Sequence, residues 1–138
     1  MTPTARTLRM LRSQGATVAV VEKFNPGARV RQDLFRFIDV VALEPGKVGL
    51  LGVQTTSASN QASRVTKIQS EPNAALWLAC GNRIQVHGWA KRGERGKRKR
   101  WTATVKDIDL VLMAAPAAEA LRGERGRSRR TAEEAEGQ

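Results

Sequence analysis

The first residues of the chain include apolar positions with the spacing of one helix face, and this spacing predicts a helix between Thr2 and Gly15. Thr2 suits the N-cap, Pro3 the first turn, and Gly15 the point where the helix stops. The apolar stripe is formed by Leu8 and Leu11. Another face carries basic residues at every third position, which are either solvated or in contact with phosphate: Arg6, Arg9 and Arg12.

Segments rich in β-branched and apolar residues follow, and they predict strands over residues 16–24, 35–43 and 47–56. A turn at Asn25-Pro26-Gly27 separates the first strand from the second. Glu44-Pro45-Gly46 predicts a tight turn, so the second and third strands should form an antiparallel hairpin. Such a turn pairs residues whose numbers sum to about 91.

The second half of the chain alternates between helical and strand patterns. It predicts a helix within residues 57–70, a helix from Ser70-Glu71-Pro72 to Gly81, and half-buried strands over 84–91 and 100–108. We therefore predict one α/β domain over residues 1–113, in which a three-strand antiparallel meander and further strands are flanked by helices. Residues 114–138 are rich in alanine and charge, and we expect them to form a disordered tail.

Charge narrows the range of partners. The chain has 24 Lys and Arg against 13 Asp and Glu, a formal net charge of +11. Such a surface attracts polyanions, of which nucleic acid is the main one in the cytoplasm. Residues 91–100, the predicted loop before the last strand with the strand end on either side, have seven positive charges and one negative charge, and the basic residues are candidate phosphate contacts: Lys91, Arg92, Arg95, Lys97, Arg98, Lys99 and Arg100.

Apolar runs are too short for a membrane span, and the N-terminus lacks the pattern of a signal peptide. A single cysteine, Cys80, excludes an internal disulfide and a cysteine-based metal cage. We therefore expect no contact with a membrane and a cytoplasmic location, with a homodimer left open. A basic protein of the ribosome or of a capsid also fits these properties.

Asp39 is the unusual residue of the second strand, because a buried carboxylate is costly unless it is paired, hydrogen-bonded or bound to a cation. With pairs summing to about 91, Asp39 would lie opposite Gly52 and diagonal to Gln54. Gln54 and Thr56 would share its face of the sheet, next to the space that a glycine leaves. Oxygen ligands of this kind favour Mg²⁺ or Mn²⁺.

The chain has RQDLFRFIDVVAL before the predicted turn and GLLGVQTTSASN after it, followed by a helix with Arg64 and Lys67. In these features, over about residues 2–108, it resembles the PD-(D/E)XK nuclease superfamily and, within it, small archaeal and phage-type Holliday junction resolvases. The resemblance implies a restriction-endonuclease-like core and metal-dependent cleavage of DNA, including branched DNA. In that family two acids hold a divalent cation, and a lysine assists the attacking water.

On this resemblance Asp39 matches the first acid of the family, Gln54 stands in place of the second acid, and Thr56 in place of the lysine. The last two are departures, because an amide oxygen is neutral and a threonine has no positive charge. Lys67 is a candidate for the missing positive group. Further candidate carboxylates are Glu22 and Asp33. Arg64 is a candidate contact to the nucleic acid, and Ser57 or Thr56 could orient water.

Structural roles compete with these chemical ones. Asp39 could cap a turn or pair with Arg31 or Arg36. Gln54 could belong to a polar strand end that caps the next helix. His87 is more typical of a structural histidine, and Trp89 and Trp101 could form a cross-strand pair or stack on an unpaired base. A nucleic-acid-binding module of the same fold without catalysis is therefore the alternative to a nuclease.

Overall fold

The computed structural model describes residues 1–115, so the predicted tail lies almost entirely outside the described residues. Helices and strands alternate along this part of the chain. In order they are α1 (Pro3–Ser13), β1 (Thr17–Val20), β2 (Lys23–Asn25), β3 (Val30–Gln32), β4 (Val40–Leu43), β5 (Leu51–Ser57), a 3-10 turn (Ala58–Asn60), α2 (Gln61–Gln69), α3 (Pro72–Ala79), β6 (Arg83–Arg92), β7 (Arg100–Ile108) and α4 (Leu110–Ala114). None of these helices is both long and apolar enough to cross a lipid bilayer.

Five strands form one mixed sheet in the order β1-β4-β5-β6-β7. The first three are antiparallel neighbours and make up the predicted meander. β5 and β6 run parallel, with α2 and α3 between them in the sequence, and β7 pairs antiparallel with β6. The prediction of an α/β fold with a meander, further strands and flanking helices is therefore confirmed at this level. β2 and β3 form a separate two-stranded hairpin between β1 and β4.

Two apolar cores cover the two faces of the five-stranded sheet. Leu11 of α1 packs with Leu51 and Val53 on one face, which we call the α1 face. Residues of α2 and α3, including Ile68 and Trp77, pack on the other, the α2–α3 face. Because successive side chains of a strand alternate between faces, Gln54 lies on the α2–α3 face.

The predictions for α1, α2, α3, β6 and β7 are confirmed within a few residues at each end. The Thr2 side chain caps α1 by accepting a hydrogen bond from the Ala5 backbone N–H at 3.1 Å. Gly15 and Gly81 follow α1 and α3 with positive φ angles of 92° and 86°, which glycine adopts at low cost. Local signals sufficed for these elements, because caps and periodicity act within one or two turns.

The strands predicted over residues 16–24 and 35–43 were too long. The first ends at Val20, and the chain leaves the sheet to form the β2–β3 hairpin. The second begins only at Val40, since Phe35 and Arg36 take left-handed conformations with φ of 52° and 74°. These residues form a turn closed by a bridge between Leu34 and Ile38. Burial of Phe37 and Ile38 under α3 stabilises that turn over an extended strand.

The β4–β5 hairpin is antiparallel as predicted, but its register was wrong by two residues. Val40 pairs with Val53, so partner numbers sum to 93. The segment between β4 and β5 is longer than a tight turn, because Leu50 forms hydrogen bonds outside this hairpin. The Leu50 N–H donates to the Asn82 side chain at 2.9 Å, and the Leu50 carbonyl accepts from the Arg83 N–H at 2.8 Å. A two-residue shift leaves the side-chain faces unchanged.

Candidate metal centre

Three carboxylates converge beside the N-terminal end of β4. Glu22 precedes β2, Asp33 follows β3, and Asp39 precedes β4. One carboxylate oxygen of each lies within 4.8 Å of those of the other two. The β2–β3 hairpin produces this arrangement, because its two paired strands return the chain to its starting point and so bring Glu22 next to Asp33. The three carboxylates together could hold a metal ion.

Asp39 is the most buried of the three carboxylates, with 4% of its surface exposed. Its Oδ2 accepts a hydrogen bond from the Thr55 backbone N–H at 2.8 Å and from Thr55 Oγ1 at 3.3 Å. Burial and a hydrogen bond to the Asp33 side chain raise the pKa of Asp39 from 3.8 to about 8, against the opposite effect of the Thr55 N–H. Burial and the neighbouring carboxylates thus disfavour the charged form of Asp39.

Gln54 contributes a neutral oxygen to the same region. Its side chain is fully buried, and its Nε2 donates to Asp33 Oδ2 at 2.9 Å. Its Oε1 is buried without a hydrogen-bond partner among residues 1–115. A buried acceptor without a partner costs free energy, and a cation beside the carboxylates would remove that cost. The residues present therefore fit a divalent cation in both charge and donor type.

Of the three carboxylates, Asp33 lines an open cleft of about 450 Å³ together with Arg31, Arg36 and Lys67. Lys67 extends from α2 and is exposed. Arg31 also pairs with Glu22, with 3.3 Å between Nη1 and Oε1. One carboxylate thus lines a cleft whose other charged residues are positive, which suits a phosphate group that approaches a cation bound at that carboxylate.

The structure therefore brings together Asp39, Gln54, Asp33 and Glu22, and it places Lys67 in the adjoining cleft. Arg64 lies three residues before Lys67 on α2 and is partly exposed.

Four details differ from the sequence-based expectations. Asp39 precedes β4, and its backbone N–H donates to the Val53 carbonyl at 2.9 Å, while Gly52 pairs with Val41 instead. The expected space at Gly52 is filled, since an added Cβ would lie 3.0 Å from Ile38 and 3.2 Å from Trp77. Arg31 pairs with Glu22 rather than with Asp39.

The fourth detail concerns the threonines of β5. Thr56 is buried opposite Gly88 of β6, and Thr55 is the threonine that bonds to Asp39. The sequence pattern did not predict the role of Thr55, because it indicates only which side chains share a face. The shortest contact of Thr55 to Asp39 is made by its backbone N–H, whose direction does not follow the alternation of side chains.

Residues 91–100 comprise the end of β6, the loop to β7 and the first residue of β7, and we call this segment the basic arm. β5 ends at Ser57, which pairs with Trp89, so β6 and β7 continue beyond it as a hairpin of their own. Every residue of the arm is exposed, including all seven basic ones. Within the described residues, the ion pair of the arm is a loose one of 3.9 Å between Lys97 and Glu94. Nearly all of its positive charge faces solvent.

His87 has a structural role, as predicted. Its Nδ1 lies 3.1 Å from Thr7 Oγ1 in the buried α1 face, and burial lowers the pKa of His87 to about 4. Trp89 is buried and donates from Nε1 to the same Thr7 hydroxyl at 3.0 Å. The expected pairing of Trp89 with Trp101 is wrong in register, since Trp89 lies opposite Ala103.

No protein-family model matches the chain, and no curated protein or solved structure matches it either.

We expect the stability of the metal-free protein to fall as pH rises from about 6.5 to about 8, because at lower pH the buried His87, whose pKa is lowered from 6.5 to about 4, has the opposite effect. The folded pKa of Asp39 lies above its unfolded value, so the folded state keeps a proton in this range that the unfolded state releases. The stabilisation is complete below the unfolded pKa and is lost as pH rises through the folded one. Urea unfolding in EDTA at pH 6.5, above the range in which His87 contributes, and at pH 8 measures the difference. Asp39→Asn should reduce the difference in the free energy of unfolding between the two pH values. The same difference in the variant as in the wild type would contradict the assignment of this pH dependence to Asp39.

Proposed function

We propose that the protein is a metal-dependent endonuclease that cleaves DNA phosphodiesters. The observation that carries this proposal is the group of three carboxylates, Glu22, Asp33 and Asp39, beside the buried Gln54 oxygen that lacks a partner. Carboxylate and amide oxygens are ligands typical of Mg²⁺ and Mn²⁺. A bound cation of this kind supplies polarisation of the phosphate and neutralisation of the charge that develops on its oxygens.

Each residue then has a distinct task. Asp39 and Asp33 provide charged ligands, Gln54 a neutral one, and Glu22 a further carboxylate whose pairing with Arg31 orients it. Lys67 is the positive group that Thr56 does not supply, because it lines the cleft that contains Asp33. A phosphate bound in this cleft would lie among Lys67, Arg31 and Arg36, where electrostatic attraction favours it.

The order of elements also supports this proposal. Helix α1 precedes the antiparallel meander of β1, β4 and β5, and α2 leads to a parallel strand, β6. This is the order implied by the resemblance to a restriction-endonuclease-like core, with Asp39 at the second strand of the meander and Gln54 on the third. The same resemblance suggests branched DNA of the Holliday junction type as substrate.

The basic arm would supply most of the affinity for DNA. Its exposed Lys and Arg residues can contact phosphates along the backbone, which gives binding without recognition of sequence. A cytoplasmic location and a homodimer stay predictions.

A binding module without catalysis is the second candidate. Gln54 and Thr56 favour it, because they replace the second acid and the lysine that cleavage uses in the family. Under this interpretation the carboxylates would serve only to hold the β2–β3 hairpin against β4.

Incubation of the protein with branched and linear DNA separates the two candidates. We expect strand cleavage with Mg²⁺ or Mn²⁺ and none in EDTA, with branched DNA cut faster. DNA binding without cleavage under either metal, at protein concentrations that saturate the DNA, would favour the binding module.

A further inference from the structure

A second cleft lies on the α1 face, between α1 and the base of the basic arm. Its volume is about 530 Å³, within the range of small-molecule sites. Aromatic, basic and methionine side chains dominate its lining, which includes no acidic residue: Arg6, Arg9, Met10, Trp89 and Trp101 are among them. Such a lining suits a ligand that is both planar and negatively charged.

Trp101 is the accessible aromatic group of this cleft. It remains 45% exposed, whereas Trp89 is 7% exposed and fixed by its hydrogen bond to Thr7. The Arg6 guanidinium lies 3.7 Å from the centre of the Trp101 ring, and Lys91 Nζ lies 5.7 Å from it. A large exposed aromatic residue is thus held between cations, which is the arrangement that single-strand-binding surfaces use for bases and phosphates.

We propose that this cleft binds the unpaired strand of a DNA substrate, with a base stacked on Trp101 and its phosphates on Arg6, Arg9 and Lys91. Stacking on a tryptophan requires an exposed base face, which paired bases inside a duplex do not offer. Arg6 can transfer from the ring to a phosphate as the base takes its place, because a guanidinium binds both. The proposal rests on the proposed function only in taking DNA as the ligand.

The position of the cleft specifies a strand rather than a free nucleotide. Trp101 pairs directly with Lys91, the first residue of the basic arm, so a strand that enters the cleft continues along the arm. Gln54 lies on the opposite face of the sheet, the α2–α3 face, and its hydrogen bond to Asp33 links it to the carboxylates. A DNA substrate that also reaches the carboxylates would place its unpaired strand at Trp101. The substrate class that we infer is therefore DNA with an unpaired segment.

Binding measurements in EDTA test this inference without any need for cleavage. Fluorescence anisotropy measures the affinity of the Trp101→Ala variant for a labelled oligothymidylate and, separately, for a blunt duplex. We expect this variant to lose about 5- to 150-fold in affinity for the single strand, the range of one stacked base, and about twofold or less for the duplex. Trp101→Phe should keep most of the affinity, because it keeps an aromatic face.

Val105→Ala is the matched control, since Val105 is an exposed apolar residue on the same strand and the same face. It should bind both DNAs like the wild type. Equal losses for single strand and duplex in Trp101→Ala, or no loss for either, would overturn the proposal. Binding of thymidine monophosphate as tight as that of the oligomer would also overturn it. A wild type that prefers single strands through Trp101 but cuts nothing would refute the nuclease and leave this inference intact.

Discussion

Asp39→Asn should remove metal-dependent cleavage while DNA affinity stays within about twofold, because the basic arm supplies most of the attraction. Even residues one step removed from a metal typically matter by about 10- to 100-fold, so the loss at a direct ligand should exceed about 100-fold. Asn keeps the size of the side chain and removes only the charge. Cleavage of branched DNA and anisotropy on the same DNA measure the two quantities side by side.

Two matched variants make this experiment specific. Asp107→Asn applies the same change to an exposed carboxylate of β7 that bonds to Gln85, and it should cut normally. Gln54→Glu should retain activity or raise it at low metal concentration, because a second charged oxygen binds a hard cation better than an amide does. Full activity in Asp39→Asn would remove the carboxylates from the reaction. A stability change alone, in a protein that never cuts, would make Asp39 structural.

Neutralisation of the basic arm should have the second large effect. With glutamine at Arg95, Lys97, Arg98, Lys99 and Arg100, we expect weaker binding to every DNA sequence and a flatter salt dependence. Each cation–phosphate interaction that is lost reduces the slope of log K against log salt by roughly 0.9 for duplex DNA. If three of the five replaced residues contact phosphates, their loss weakens binding by roughly 10²- to 10³-fold at about 0.1 M salt. Binding titrations between about 50 and 300 mM salt measure both the affinity and the slope.

The chain offers a control with the same change in net charge. Five arginines lie in the C-terminal segment, and their replacement by glutamine removes as much charge without altering the arm: Arg122, Arg125, Arg127, Arg129 and Arg130. The control should change the slope much less. Equal effects from both sets would indicate that only total charge matters. An unchanged slope in the arm variant would indicate that the arm faces solvent or a protein partner.

The sequence by itself determined the features that depend on neighbouring residues. Caps and periodicity predicted α1, and alternation with a charged loop predicted β6, β7 and the basic arm. Asp39 stood out because a carboxylate among buried apolar residues is costly whatever the fold, and its burial is confirmed. Gln54 is linked to the carboxylates through its hydrogen bond to Asp33, whereas Asp39 contacts β5 at Thr55, so the shared face that the sequence predicted for Asp39 and Gln54 stays a prediction.

Only the tertiary structure decided how the candidate site is assembled. The left-handed turn at Phe35 and Arg36 is stabilised by the burial of Phe37 and Ile38 against residues distant in sequence, which no local propensity encodes. The hairpin that brings Glu22 to Asp33, and the Arg6–Trp101 contact between α1 and β7, likewise join segments that have no pattern in common. Such contacts depend on which surfaces of the folded chain meet, whereas a sequence pattern depends only on residues that are close together along the chain.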